Sequence, residues 1–205
     1  PLAPFQSNWT GFVREDTQCV STLGFLGPGI VEHEYSYYVA LTNDWNEKEP
    51  RIYWLSVQAV YLALPEHIWG WKTTSVAWNW NDDAVMNSGV AGWTNMTYPP
   101  PGWGYVTNHP DKGQSVDMSF ELLTDVCPAR CKKWDQPPDM IAGQDMQSWR
   151  IGTNAGSYLR ADDFVSDGRP ITDVHWWGSY LNWFHDWPFS ETNPCPVPVP
   201  PNRPV

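Results

Sequence analysis

From Ile171 to Tyr180 the chain alternates with a period of two. Thr172, Val174, Trp176, Gly178 and Tyr180 fall on one face, and Ile171, Asp173, His175, Trp177 and Ser179 on the other. That period fits a pleated strand. Asp167-Gly168-Arg169-Pro170 before it is a turn signal, because Gly relieves the backbone and Pro bars helix entry. Gly178 leaves room for another backbone or a tryptophan ring to lie against the strand. The two tryptophans read as sandwich core, since aromatic side chains dominate burial. Glu34–Leu41, Arg51–Leu62 and Ser115–Thr124 alternate in the same way and predict three further strands. In Arg51–Leu62 the face of Tyr53, Leu55, Val57, Ala59 and Tyr61 is the more apolar and is expected to point inward. Flanking Pro50 and Pro65 and the β-branched and aromatic content favour strand over helix there.

The remaining stretches punctuate these strands. Gly24–Gly29, Met86–Gly113 and residues 125–160 read as turn-rich or irregular, and no segment sustains a helical period. The fold expected is a single all-β domain over residues 1–193, a jelly-roll-like antiparallel sandwich with long Pro- and Gly-rich loops. Pro194–Val205, PCPVPVPPNRPV, reads as a polyproline tail or linker.

Composition sharpens this. The chain has 205 residues, 15 Trp, 9 Tyr and 7 Phe, ample for a core despite a mean hydropathy of −0.48. A net charge of −11 with only 12 Lys plus Arg excludes a phosphate-binding face, so no nucleic-acid partner is expected. No apolar run reaches the ~18 residues of a membrane span. The chain opens without Met and without a charged, apolar leader, so it is expected to be a mature or excised product. Cys19, Cys127, Cys131 and Cys195 form an even set that permits three disulfide pairings, with 127–131 plus 19–195 the first expectation. With glycosylation sequons at Asn8 and Asn95, they point to a secreted, extracellular or cell-surface location.

Candidate chemistry is sparse. The acidic pairs Asp82-Asp83 and Asp162-Asp163 could hold calcium, which takes oxygen ligands from carboxylates and carbonyls. Neighbouring strand residues point to opposite faces, so turn capping or buried hydrogen bonding is the competing role for each pair. Use of such pairs as glycosidase acid and base would require carboxyls about 5–9.5 Å apart with unequal pKa values. His33, His67, His109, His175 and His185 are scattered, without a zinc-ligand spacing, and read as hydrogen-bonded structural residues. The chain carries no GxSxG, phosphate-binding loop or dinucleotide fingerprint. Trp69, Trp71, Trp93 and Trp103, in the loop-rich part, could form a platform for sugar rings, exposed apolar surface being the mark of a binding site.

Seven stretches carry a resemblance: IYWLSVQAVY at 52–61, WGWKT at 69–73, WNDDAV at 80–85, VDMSFELLT at 116–124, KWDQPPD at 133–139, RADDF at 160–164 and PITDVHWWGSY at 170–180. Together they are similar to a family of secreted β-sandwich domains of unassigned function, found in surface and extracellular proteins of methanogenic archaea, planctomycetes and other bacteria. That resemblance implies a β-sandwich and supplies no catalytic residue. In the family pattern the KWxQPPD, ADDF and WWGS half comes first, whereas here Ile52–Thr124 precedes Lys133–Tyr180. A circular permutation, a slice across two repeats, or halves that complete sandwiches with different neighbours would each produce this order.

The function expected is a non-enzymatic structural subunit of an extracellular assembly, a homo-polymer joined by exchanged strands or by residues 1–50 and 181–205 extending to a neighbour. The alternative is a carbohydrate-binding module of a larger secreted protein, with cell-surface polysaccharide as the candidate partner. No cofactor is expected beyond calcium.

Overall fold

The strand Ile171–Asp186 runs through the middle of the larger sheet, and the rest of that sheet is assembled on its two edges. The computed structural model describes residues 13–20, 30–45, 51–87, 92–97, 113–125, 131–140, 142–152 and 158–186, with 13–20, 30–34, 42–45 and 181–186 described by their backbone. In chain order the strands are β1 (Val13–Val20), β2 (Ile30–Trp45), β3 (Ile52–Leu55), β4 (Ala59–Tyr61), β5 (Trp69–Lys72), β6 (Val85–Asn87) and β7 (Trp93–Asn95). They continue with β8 (Phe120–Thr124), β9 (Cys131–Gln136), β10 (Asp145–Gln147), β11 (Trp149–Ile151), β12 (Leu159–Val165) and β13 (Ile171–Asp186). A single 3-10 turn, Val76–Trp78, is the only helical piece among the described residues. The all-β expectation holds.

β13 is flanked by β2 along one edge. Its other edge takes β8 beside Asp173–Trp176 and then β5 beside Gly178–Tyr180. β5 and β8 therefore lie end to end, and backbone bonds from Ser119 to Lys72 O and from Thr74 to Asp117 O, both 2.9 Å, splice them. The Trp71 indole adds a 2.8 Å bond to Ser119 O. β9 and β10 extend this sheet beyond β8 and β5, and β1 beyond β2. A four-stranded sheet, β3-β12-β6-β7, forms the second layer. Phe164 of β12 bridges the layers, its ring 6.1 Å from Phe120 and 6.3 Å from Trp134. Around it Tyr37 stacks on Trp176 at 5.6 Å and meets Trp69 edge-on at 5.7 Å. Aromatic pairs in these geometries add stability beyond the area they bury.

Gly178 is close-packed for the reason its position suggests. A Cβ there would lie 2.2 Å from Gly70 O and 2.5 Å from Trp69 Cζ2, so backbone and indole both occupy the space. Gly168, in the predicted turn, has φ +80°, which favours glycine.

Several expectations need correction. Arg51–Leu62 is two strands, with β3 in the four-stranded sheet and β4 paired parallel to β11. The break at 56–58 is fixed by Ser56 Oγ donating to Arg160 O (2.7 Å), Gln58 Nε2 donating to Trp149 O (3.3 Å) and Ser148 Oγ donating to Val57 O. The predicted inward face survives the break: Ala59 and Tyr61 are buried, and Tyr53, Leu55 and Val57 pack on the core. Residues 125–160 are not simply irregular, since β9, β10, β11 and the start of β12 lie there. Nor is Met86–Gly113 all turn, because β6 and β7 form an antiparallel pair within and beside it.

The two halves of the chain complete each other. Each of β9 to β13 pairs with a strand from the first half. In particular β1, β2 and the end of β13 to Asp186 pair within the chain's own sheet, so residues 13–20, 30–45 and 181–186 do not extend away as expected. The physical reason is length. β2 and β13 are 16 residues each and align from Ile171↔Trp45 to Asp186↔Ile30, which satisfies their backbone groups at home. Residues 1–12 and 187–205, including the proline tail, lie outside the described residues.

Candidate functional site

The acidic pair Asp82-Asp83 ends a five-residue loop, Asn79-Trp80-Asn81-Asp82-Asp83, that leaves the 3-10 turn and feeds β6. Asn81 sits at φ +58°, a left-handed conformation that asparagine tolerates better than most residues. That conformation lets Asn81 Nδ2 donate 2.8 Å to Asp163 Oδ2. Asp83 accepts from the Ser115 hydroxyl and, at 3.2 Å, from Asn95 Nδ2 of β7. Asn79 Nδ2 donates 3.0 Å to Ser115 O. The result is a cleft of about 210 Å³ lined by Asn79 to Asp83, Ser115 and Asp117.

Asp117 closes the floor. Its Oδ2 accepts from Trp80 N at 2.7 Å and its Oδ1 from Ala84 N at 3.3 Å, so it clamps both ends of the loop. Behind it lies Asp162, fully buried on the inner face of β12. Asp162 accepts from Met118 N (2.6 Å) and Asp163 N (2.8 Å). Gln136 couples the two carboxylates. Its Oε1 accepts from the Trp134 indole at 2.6 Å, which fixes the amide and turns Nε2 toward Asp117 and Asp162, 3.4 Å from each.

The electrostatics follow from burial and like charge. Burial pushes Asp117 up to about 6, the charges of Asp163 and Asp83 add to that, and the Trp80 and Ala84 amides oppose it. Burial, with Asp117 nearby, drives Asp162 well above the usual carboxylate range. Asp163 also rises, through burial and then the neighbouring charge of Asp82, against the Asn81 bond. Asp162 and Asp117 thus behave as buried hydrogen-bond acceptors that hold strands and loop in register.

The expected four-carboxylate calcium set is therefore divided. Asp162 points inward with both oxygens engaged by donors, while Asp82 and Asp83 line the cleft with Asp117, and buried Asp163 is tied to the cleft wall through Asn81. Among the described residues no three acidic, His or Cys side chains already form a metal-holding group. Asp117, Gln136, Ser115 and Asn79 were not singled out from sequence. Asp117 reads there as one polar position in an alternating strand, and nothing local reveals that it meets the 79–83 loop.

The tryptophan platform is corrected. Trp69 and Trp71 are core residues, 3 % and 0 % exposed, because β5 lies inside the larger sheet against β13 and β10; neither can present a face to a sugar. Trp93 is 52 % exposed on β7. Trp103, Asn8, Cys127 and Cys195 lie outside the described residues, as does the side chain of Cys19. Cys131, at the start of β9, is disulfide-bonded and accepts from Arg169 Nη1 at 3.3 Å. Asn95 is exposed, with its amide on Asp83. His175 sits beside Glu121, Nδ1 to Oε2 3.2 Å, in a sheet-surface hydrogen bond.

A domain of unknown function, DUF7901, matches residues 5–123 and 132–199. The chain belongs to the DUF7901 family. No curated protein and no solved structure matches this DUF7901 chain. Among its described residues no helix is long and apolar enough to cross a membrane.

Proposed function

We propose that this DUF7901 chain is a non-enzymatic structural subunit of an extracellular assembly, such as a sheath, surface layer or filament. In this reading copies of the chain meet through the outer face of the four-stranded sheet. The observation behind it is a small exposed apolar patch. Ile52 and Val165 are direct cross-strand partners, and Trp54 lies two residues along on the same face. They are 48 %, 40 % and 45 % exposed. Exposed apolar surface of this kind marks a contact site. Its aliphatic members favour a second protein face over a sugar ring, and a head-to-tail contact with a different face of the next copy would propagate into an open polymer. The disulfide at Cys131 supports an oxidising compartment.

Sedimentation velocity over a hundredfold range of concentration tests the reading. The wild type is expected to shift to larger species, and Trp54→Ser with Ile52→Ser to stay monomeric. A wild type that is monomeric throughout removes it. Saturable polysaccharide binding lost in Trp93→Ala, with no self-association, would install carbohydrate recognition in its place, since Trp93 shares this outer face with Asn87 and Asn95 through the β6–β7 register.

A further inference from the structure

Beyond β4 the chain exposes three apolar residues in a row. Leu62, Ala63 and Leu64 all face solvent, and the two leucines, 80 % and 69 % exposed, are the most exposed large hydrophobic side chains among the described residues. An exposed apolar run of this length is a liability unless something covers it. The loop that carries it is fastened at its neck. Tyr61 before it is buried, and its hydroxyl accepts from Trp69 N at 2.9 Å, where β5 begins. Gly152 N donates to Tyr61 O at 2.8 Å, and Pro65 beyond the leucines is buried. The leucines thus stand on a short loop held at both ends, a projection already in shape for a partner.

The chain cannot cover this projection with its own outer patch. β3 runs beside residues 162–165 of β12, and the chain keeps tracking β12 through Ser56 on Arg160 O and Gln58 on Tyr158 O before it enters β4. Ile52 and Leu62 therefore stand at opposite ends of an extended run, about 30 Å apart at the rise of a strand. A patch at one end and a projection at the other are what a contact between unlike faces of two copies requires. Charge fits the same seating. Glu66 follows the leucines with its side chain 70 % exposed, and the exposed Arg51 immediately precedes Ile52. A projection seated on the patch brings these opposite charges to one rim. Resting on the assembly reading above, we propose that the occupant of the outer patch is the 62–64 loop of a second copy. Leu62 and Leu64 pack on Ile52, Trp54 and Val165, and Glu66 meets Arg51. Each copy gives its loop to one neighbour and its patch to the other, so the contact propagates as an open filament.

Complementary variants test this in the intact chain by sedimentation velocity, with circular dichroism unchanged in both. Leu62→Ser/Leu64→Ser lacks the projection and keeps the patch, and Ile52→Ser/Trp54→Ser lacks the patch and keeps the projection. Each is expected to stay monomeric where the wild type assembles. An equimolar mixture of the two is expected to form a dimer and stop there, because one productive contact remains. A wild type that stays monomeric removes assembly and this contact together. Undiminished assembly of Leu62→Ser/Leu64→Ser leaves assembly standing and overturns the loop as occupant, as does a mixture that stays monomeric. Glu66→Arg is expected to weaken assembly about two- to fivefold, and Arg51→Glu in the same chain to restore it. A double variant as weak as the single one overturns the seating. A wild type that binds phosphatidylcholine vesicles through Leu62 and Leu64 without self-associating would make the loop a lipid contact, and overturns the proposal too.

Discussion

Gly178→Ala is the substitution whose cost follows most directly from the packing. The added methyl would sit 2.2 Å from Gly70 O and 2.5 and 2.7 Å from two atoms of the Trp69 indole. An unstrained carbon–oxygen contact is about 3.3 Å, so something must move by about 1 Å. Gly70 is backbone, paired to Ser179 and, through β10, to Gln147. Trp69 is pinned as well, edge-on to Tyr37 and with its amide donating 2.9 Å to Tyr61 Oη. Overpacking a rigid core costs about 1–3 kcal/mol, and contact with backbone puts this case at the upper end, about 3 kcal/mol. For a domain of this length that is a fall of about 6–12 °C in Tm. Urea unfolding followed by tryptophan fluorescence measures it, with an unchanged slope confirming a common unfolded state. Gly168→Ala is the control. Its φ of +80° carries a dihedral penalty of about 1–2 kcal/mol but no atom lies within 4 Å of the new methyl. A Gly178→Ala protein within about 0.5 kcal/mol of the wild type would show that β5 and its tryptophan do not lie against β13.

Stability should peak on the acid side of neutral. Asp117 binds its proton more tightly folded, at about 6 against 3.8, so its contribution is complete below about pH 4 and is lost as pH rises through 6, an effect of about 3 kcal/mol. Glu121 runs the other way. His175 first, then Lys132, hold it at about 2 against 4.5, so its contribution, also about 3 kcal/mol, is present above about pH 4.5 and is lost as pH falls toward 2. Urea midpoints at pH 2.5, 4.5 and 7 should therefore be highest at 4.5, and a midpoint that climbs steadily to pH 7 contradicts the buried acid pair. Lys72 and Asp145 form a buried 3.1 Å ion pair, so Lys72→Met alone should cost about 3–5 kcal/mol, with much of it regained in Lys72→Met/Asp145→Leu; a double-mutant cycle without coupling refutes the pairing.

The strands that could be read from the sequence were those long enough to show a period. Ile171–Tyr180 and Ser115–Thr124 alternate over ten positions; the first lies wholly within β13, while of the second only Phe120–Thr124 forms a strand, although Val116, Met118, Phe120 and Leu122 are all buried. Even Gly178 could be read as a close approach, because a glycine among tryptophans has few other uses. β10 and β11 were invisible for the opposite reason. Three residues carry no period, and their pairing with β5 and β4 is set by partners more than 70 positions away. The Arg51–Leu62 break was hidden because its residues keep one alternation while changing sheets, and the switch depends on Ser148, Trp149 and Arg160. The tryptophans misled for a related reason. Trp69 and Trp71 flank a glycine in a segment with loop-like neighbours, yet β5 is held inside the larger sheet, where both rings become core. The acidic pairs were visible as pairs, but their division of labour was not. That depends on β12 turning Asp162 inward to Met118 and Asp163 outward to Asn81.

Assembly through the outer face, by domains already complete in themselves, is tested most directly by electron microscopy of the concentrated wild-type chain beside the Ile52→Ser/Trp54→Ser variant. The expected result is an ordered polymer or lattice of wild-type domains, each with β13 in its own sheet, touching across Ile52, Trp54 and Val165, and dispersed single particles for the variant. Single particles for both proteins, or a polymer in which β13 is inserted into a neighbouring copy, would contradict the account.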